Sequence, residues 1–135
     1  IQLIGGTADG EISSVLGFQQ DSLVLMLFHS DEIEFHAAVG RHISSDPVEI
    51  AQQTVQTALA QVQSAPVLCI TTPESLTTSG LSILRGLQQA LGVEVPIVGG
   101  TTCDQWQFKQ TYQFFGQEVL SDALPILLLS GRVLY

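Results

Sequence analysis

Fixed positive charge is nearly absent from this chain. Its 135 residues hold four Lys and Arg (Arg41, Arg85, Lys109 and Arg132) against 13 Asp and Glu, a formal net charge of −9. Nucleic acid needs a basic footprint, and an anionic membrane surface needs one too, so the composition argues against both as partners. Cysteine is scarce as well. Cys69 and Cys103 are too few for a disulfide scaffold and lack metal-site spacing, which leaves a reducing cytoplasm as the expected compartment. Long apolar runs are missing: "LVLMLF" and "LPILLL" are strand length, whereas a membrane-spanning helix needs about 20 residues. No basic segment precedes the apolar start, so no signal peptide is read there. The chain does not begin with Met and reads as processed or as cut from something longer.

What the chain does have is apolar bulk. Hydrophobic residues make up 45% and charged residues only 13%, where soluble domains average roughly 25% charged. Mean hydropathy is +0.34. A surface so poor in charge is expected to be covered in part, by another domain or by a second copy in a homodimer. The length fits a single domain, 1–135, with a core that needs no staples.

Along the chain, residues 1–4 read as a buried strand entering a loop at Gly5-Gly6. After a polar stretch, Leu23 to Phe28 form a continuous apolar strand; "HSDE" supplies turn chemistry, and "IEFHAAV" alternates as a half-buried strand. The two are expected to form a hairpin. In "SDPVE", Asp46 is the candidate N-cap, Pro47 the first helical residue and Glu49 the partner in a capping box. That helix is expected to run to about Ser64, burying Val48, Ala51, Val55, Ala58, Leu59 and Val62. "VLCIT" is a short buried strand. A helix from about Ser79 to Leu91 follows, with Leu81, Leu84, Leu87 and Leu91 inward, and Gly92 stops it. With the strand "EVPIVGG" it makes a βαβ unit, expected to be right-handed. "TYQFFGQEVL" reads as a hairpin around Gly116, "DALPILLLSG" as a further buried strand, and "RVLY" runs on beyond it. The expected fold is mixed α/β, a mixed sheet covered by helices.

The chain also repeats itself. Ile4-Gly5-Gly6-Thr7 aligns with Val98-Gly99-Gly100-Thr101 at an offset of 94. Each copy is followed by a polar loop, a Gly/Phe turn, an Asp/Ser pair and an apolar strand, in that order. The halves are about 1–42 and 43–135. The second copy is preceded by a helix, a strand and a helix, and the first by nothing. By the offset, about 45 residues of the first half are expected upstream in a parent chain.

"IGGTADGEIS…GF…DSLVLMLF" and "VPIVGGTTCD…Q…F.G..VLSDALPILLLSG" resemble, in order and over nearly the whole chain, the two signatures of the FIST N-terminal domain. Ala8-Asp9 and Thr102-Cys103 depart from the family pattern, both within the loops. The resemblance implies a bacterial-type intracellular sensory domain of signalling proteins that binds small molecules such as amino acids. It also implies a C-terminal FIST-type partner domain or a downstream signalling domain in the parent chain.

Glycine corners at strand ends let backbone amides face outward and let a ligand approach closely. Gly5, Gly6, Thr7 and Glu11 are expected on one side of a ligand site, and Gly99, Gly100, Thr101 and Asp104 on the other. Amides would hold a carboxylate, and Glu11 or Asp104 would pair with an ammonium, which suits an amino acid. The plainer reading is tight turns with no ligand. Glu11 and Asp104 could instead act as an acid–base pair, although loop hydrogen-bonding or ligand pairing is the simpler reading, or Cys103 could be a nucleophile if His29, His36 or His42 stood beside it. None of the three His has catalytic-looking neighbours, and their spacings match no metal pattern. Ser79-Gly80 opens a helix after a strand but lacks the Lys and Gly spacing of a P-loop. Trp106 and Phe108 are either an apolar wall for a ligand or a flap packed on the domain. No catalytic residue and no cofactor is assigned. An enzyme and a purely structural interaction module stay as the alternative readings.

Overall fold

The computed structural model describes residues 1–132. The end of "RVLY" lies outside the described residues. The fold is mixed α/β, as expected.

The main sheet has four strands: β4 (Ile33–Arg41), β5 (Pro66–Thr71), β6 (Ile97–Gly99) and β9 (Ala123–Gly131), in the order β4-β9-β5-β6. β9 is antiparallel to both neighbours, and β5 and β6 are parallel. Parallel neighbours require a crossover, which α2 (Gly80–Leu91) provides, so the βαβ unit is present. Every residue of β9 from Ala123 to Ser130 is buried. That explains its unbroken apolar run, since a strand covered on both faces has no polar side to show. On one face Leu124, Ile126 and Leu128 pack with Ala51, Val55 and Ala58 of α1 (Pro47–Leu59) and with Ile83 and Leu87 of α2. On the other, Leu127 and Leu129 meet Ile4 and Phe115. Those two residues belong to a smaller antiparallel sheet, β1 (Ile4–Gly6), β7 (Gln113–Phe115) and β8 (Glu118–Leu120), in the order β1-β7-β8. The β7–β8 hairpin turns at Gly116, whose φ of 60° favours glycine. A separate two-stranded hairpin, β2 (Glu11–Ser13) and β3 (Gly17–Gln19), lies in the first polar loop, where only a turn was expected. Among the described residues no helix is long and apolar enough to cross a membrane.

Three expectations are corrected. Helix α1 starts as read, with Asp46 accepting the Glu49 N–H at 3.0 Å, but it ends at Leu59 rather than near Ser64. Pro66 disfavours helical backbone in the residue before it, and the Glu34 carboxylate takes the Gln63 N–H at 3.0 Å. The expected capping box is not closed among the described residues: the Glu49 side chain accepts from Gln53 instead. Helix α2 is rotated relative to the leucine stripe. Leu81 is 76% exposed, while Ile83, Gly86 and Leu87 are buried. The cause is Gly86, where a Cβ would stand 2.5 Å from the Val48 carbonyl oxygen, so α1 crosses α2 there. Finally, Leu23 to Phe28 form no strand ladder among the described residues. β4 gives its ladder to β9 instead, and Phe28 meets β4 through its ring, 6.0 Å from that of Phe35. β9 wins that competition because it is buried on both faces.

Candidate functional site

Both glycine corners are points of close approach. A Cβ on Gly6 would stand 2.1 Å from Thr102 Cγ2, so only glycine lets the second loop lie against β1. The contact continues through the backbone: Cys103 N–H donates to the Thr7 carbonyl at 2.9 Å, and Thr7 N–H donates to the Tyr112 carbonyl at 2.9 Å. Tyr112 N–H returns to Thr7 Oγ1 at 3.1 Å, and Thr72 Oγ1 donates to the Gly5 carbonyl at 2.9 Å. At Gly99, φ is +145° and a Cβ would lie 1.9 Å from the Thr71 carbonyl oxygen. Gly100 is different. Nothing stands within 4 Å of a Cβ built there.

The second corner opens onto a groove of about 300 Å³ at the carboxyl ends of β5 and β6. Ile83, Leu84 and Leu87 of α2, with Ile97 and Pro73, make it mainly apolar; Thr71, Gly99, Gly100, Thr101 and Gly80 form its polar edge. Crevices at this end of parallel strands are favoured ligand sites in α/β sheets. Of the eight residues expected at the site, Gly99, Gly100 and Thr101 line this groove. Gly5, Gly6 and Thr7 do not line it: Gly5 lies against Phe114, and Gly6 and Thr7 pack against Thr102, Cys103 and Tyr112. A larger hollow of about 590 Å³ lies between α1 and α2, lined by Glu49, Gln52, Gln53, Gln56, Thr57 and Gln89. It is an open trough bridged by a Gln52–Gln89 hydrogen bond of 2.7 Å, away from both corners.

The two acidic candidates are engaged locally. Asp104 accepts the backbone N–H groups of Lys109 at 2.7 Å, Phe108 at 3.1 Å and Gln110 at 3.2 Å. Those N–H groups, Lys109 first, hold its carboxyl below the usual range against a smaller desolvation. Asp104 thereby caps a loop in which Gln105, Trp106 and Phe108 all take positive φ. Glu11 accepts from the Ser22 hydroxyl. The sign of the Asp104 effect makes a prediction. A carboxyl whose folded pKa is depressed contributes stability above its unfolded pKa, about 3.9, and loses it as pH falls through the folded value. Loop 104–110 should therefore loosen only below about pH 4, read as a Trp106 fluorescence change that Asp104→Asn abolishes. A Trp106 transition centred near pH 6 would contradict this.

Cys103 is half-buried, and its thiol donates weakly to the Thr101 carbonyl at 3.6 Å. Burial, with Asp9 and Asp104 nearby, pushes the thiol up, which disfavours the thiolate a nucleophile requires. Among the described residues no imidazole bonds to it; His36 pairs with Glu34 at 3.5 Å. Cys69 is core, its thiol pushed up to about 12 by burial. Trp106 and Phe108 are 77% and 69% exposed and stack edge-to-face at 6.0 Å. They line neither hollow.

Sequence reasoning missed the residue that holds the site together. Glu74 is 2% exposed, in the loop after β5. Its carboxylate accepts from Thr111 Oγ1 at 2.6 Å, Leu76 N–H at 2.5 Å, Thr77 N–H at 3.2 Å and Gln113 Nε2 at 3.2 Å. Gln113, fully buried, also donates to Thr102 Oγ1 at 2.9 Å and accepts the Ala123 N–H at 3.1 Å. Thr102 donates in turn to the Pro73 carbonyl at 3.1 Å. One buried carboxylate thus ties the 73–77 loop, the second corner and β7 to the start of β9. Buried carboxylates need such saturation, and here four neutral donors supply it. No motif announces Glu74, because a loop carboxylate is exposed by default.

Among curated proteins, none matches this chain significantly. The family model of the FIST N domain matches residues 1–135, the whole length. FIST N is a family of sensory domains found in signalling proteins. With that match over its whole length, and a mixed sheet carrying the second glycine corner at its strand ends, the chain belongs to the FIST N family.

Proposed function

We propose that this chain is the ligand-binding part of a sensor, and that a small molecule occupies the groove beside Gly99, Gly100 and Thr101. The observation that carries this is the groove itself: about 300 Å³, apolar within, edged by the strand ends and the start of α2. Its volume suits a metabolite-sized ligand. Ile83, Leu87 and Ile97 would take an aliphatic body, and Thr101 with the backbone around Gly100 would take a carboxylate or carbonyl end. Aliphatic amino acids and short aliphatic acids are the ligand classes that fit this division. Gly5, Gly6 and Thr7 serve the site indirectly, by fixing the second loop. Asp104 and Glu11 act as loop braces; the ammonium of an amino acid would face solvent at the groove mouth. The parent protein would work in the cytoplasm, where free Cys69 and Cys103 stay reduced, and would pass the signal to a C-terminal partner domain.

Gly100→Val tests this with little risk to the fold, since the added side chain enters open space at a backbone conformation other residues adopt. A panel of amino acids and short carboxylates, screened on the parent protein by thermal shift and titrated by calorimetry, should contain a stabilising member. Gly100→Val should weaken that member at least about tenfold, 1.4 kcal/mol, with the unliganded Tm almost unchanged. A panel with no stabilising member, or a binder indifferent to Gly100→Val, would overturn the assignment.

A further inference from the structure

The run Leu23 to Phe28 is the least explained part of the molecule. Its six residues are all apolar and are exposed, from 48% at Phe28 to 83% at Leu23. Among the described residues, its backbone makes no hydrogen bond to another backbone group. Yet it stands in the first half where β9 stands in the second, after a Gly-Gly-Thr corner, a polar loop, a glycine turn and an Asp/Ser pair.

What β9 does therefore says what this run is built for. β9 has both edges paired and both faces covered. One partner, β5, comes from its own half and is parallel to the Gly-Gly-Thr strand β6, with Thr71 opposite Gly99. The other, β4, comes from the first half. In the first half the counterpart of β5 falls about 28 residues before Gly5, outside the present sequence. We propose that Leu23–Phe28 is the central strand of a second sheet, and that its occupant is a strand of the parent polypeptide lying upstream of Ile1 and flanked by helices.

Two observations favour that occupant over a second copy of this chain. The run is apolar on both alternating faces, so it needs cover as well as a ladder. A helix-strand-helix segment supplies both, as α1, β5 and α2 do for β9. The exposed run of a second copy could offer only an edge. The halves are also already interleaved within one chain, since β4 leaves its own half to pair with β9 over nine residues. An interleaved pair of sheets closes when both central strands find partners in cis.

Hydrogen–deuterium exchange on the unmodified parent protein tests the proposal. Amides of residues 23–28 should be protected to the same degree as those of β9, at least about 100-fold slower than unstructured peptide. In a Cys103→Ser background, Leu25→Cys paired with cysteines placed along the upstream strand should form an intramolecular disulfide at one register. Exchange at the unstructured rate would overturn the proposal. So would protection that rises with protein concentration together with cross-links between isotopically distinct copies, which would assign the run to self-association. The ligand assignment does not depend on either outcome, because the groove lies in the second half.

Discussion

Glu74→Ala is expected to cost about 3–5 kcal/mol, a large part of the 5–15 kcal/mol that holds a domain of this size together. The reason is what the substitution leaves behind. Two backbone N–H groups, the Thr111 hydroxyl and one Gln113 N–H lose their acceptor at once, the last two in a place closed to water. Each orphaned buried donor costs roughly 1–3 kcal/mol where water cannot reach it, and partial relaxation keeps the sum below the maximum. Glu74→Gln keeps the shape and one acceptor oxygen, but it turns an amide donor toward groups that donate. About half the loss is expected there. Urea denaturation of the two variants beside the unmodified protein checks the ordering, with equal m-values showing that the same surface unfolds. If Glu74→Ala unfolds within about 1 kcal/mol of the unmodified chain, the buried cluster is not what fixes the two corners.

The second large effect is a coupling. Gly6→Ala places a methyl group 2.1 Å from Thr102 Cγ2 and 3.1 Å from the Tyr112 carbonyl oxygen. Thr102 cannot swing aside, because it is 2% exposed and its hydroxyl is held by the Pro73 carbonyl and Gln113. Overpacking of this kind costs about 1–3 kcal/mol. Thr102→Ser removes the obstructing methyl and keeps the hydroxyl bonds, at about 1 kcal/mol by itself. The double variant should be more stable than the sum of the single losses by at least about 1 kcal/mol, the signature of residues in contact. Additive losses would mean that the two corners do not press on one another. Gly99→Ala has no such rescue, because its obstruction is the backbone of Thr71 rather than a side chain.

The elements and their order were legible wherever a local rule was strong. Asp46-Pro47 marks a helix start because the cap and the fixed φ of proline act within one turn, and Gly92, with φ of 84°, marks a helix stop for the same local reason. The β7–β8 hairpin and the long β9 were legible too, the first from its turn glycine and the second from its buried run. Choices among distant partners were not. Nothing near Leu23 or Ile33 says that β4 will pair with β9, because that decision depends on burial supplied by residues far along the chain. The inward face of α2 was hidden for a similar reason: leucine spacing suggests one stripe, but close approach at Gly86 selects another. The Gly-Gly-Thr pattern singled out three residues, Gly99, Gly100 and Thr101, that line the groove. Glu74 and Gln113 were not legible, since a polar residue looks alike in sequence whether water or a buried network satisfies it. Asp104 takes backbone hydrogen bonds from its own loop, the bracing role that a carboxylate in a turn suggests.

The order of β4-β9-β5-β6 carries a consequence for how the protein is made. β9, the strand that joins β4 to β5, is synthesised after all three of its companions. While it is still in the ribosome, β4 and β5 have no strand between them, and the core under α1 and α2 lacks Leu124, Ile126 and Leu128. Folding as the chain emerges must wait for residues 123–131, so a nascent chain stalled before them should recruit chaperones, and one stalled well after them should not.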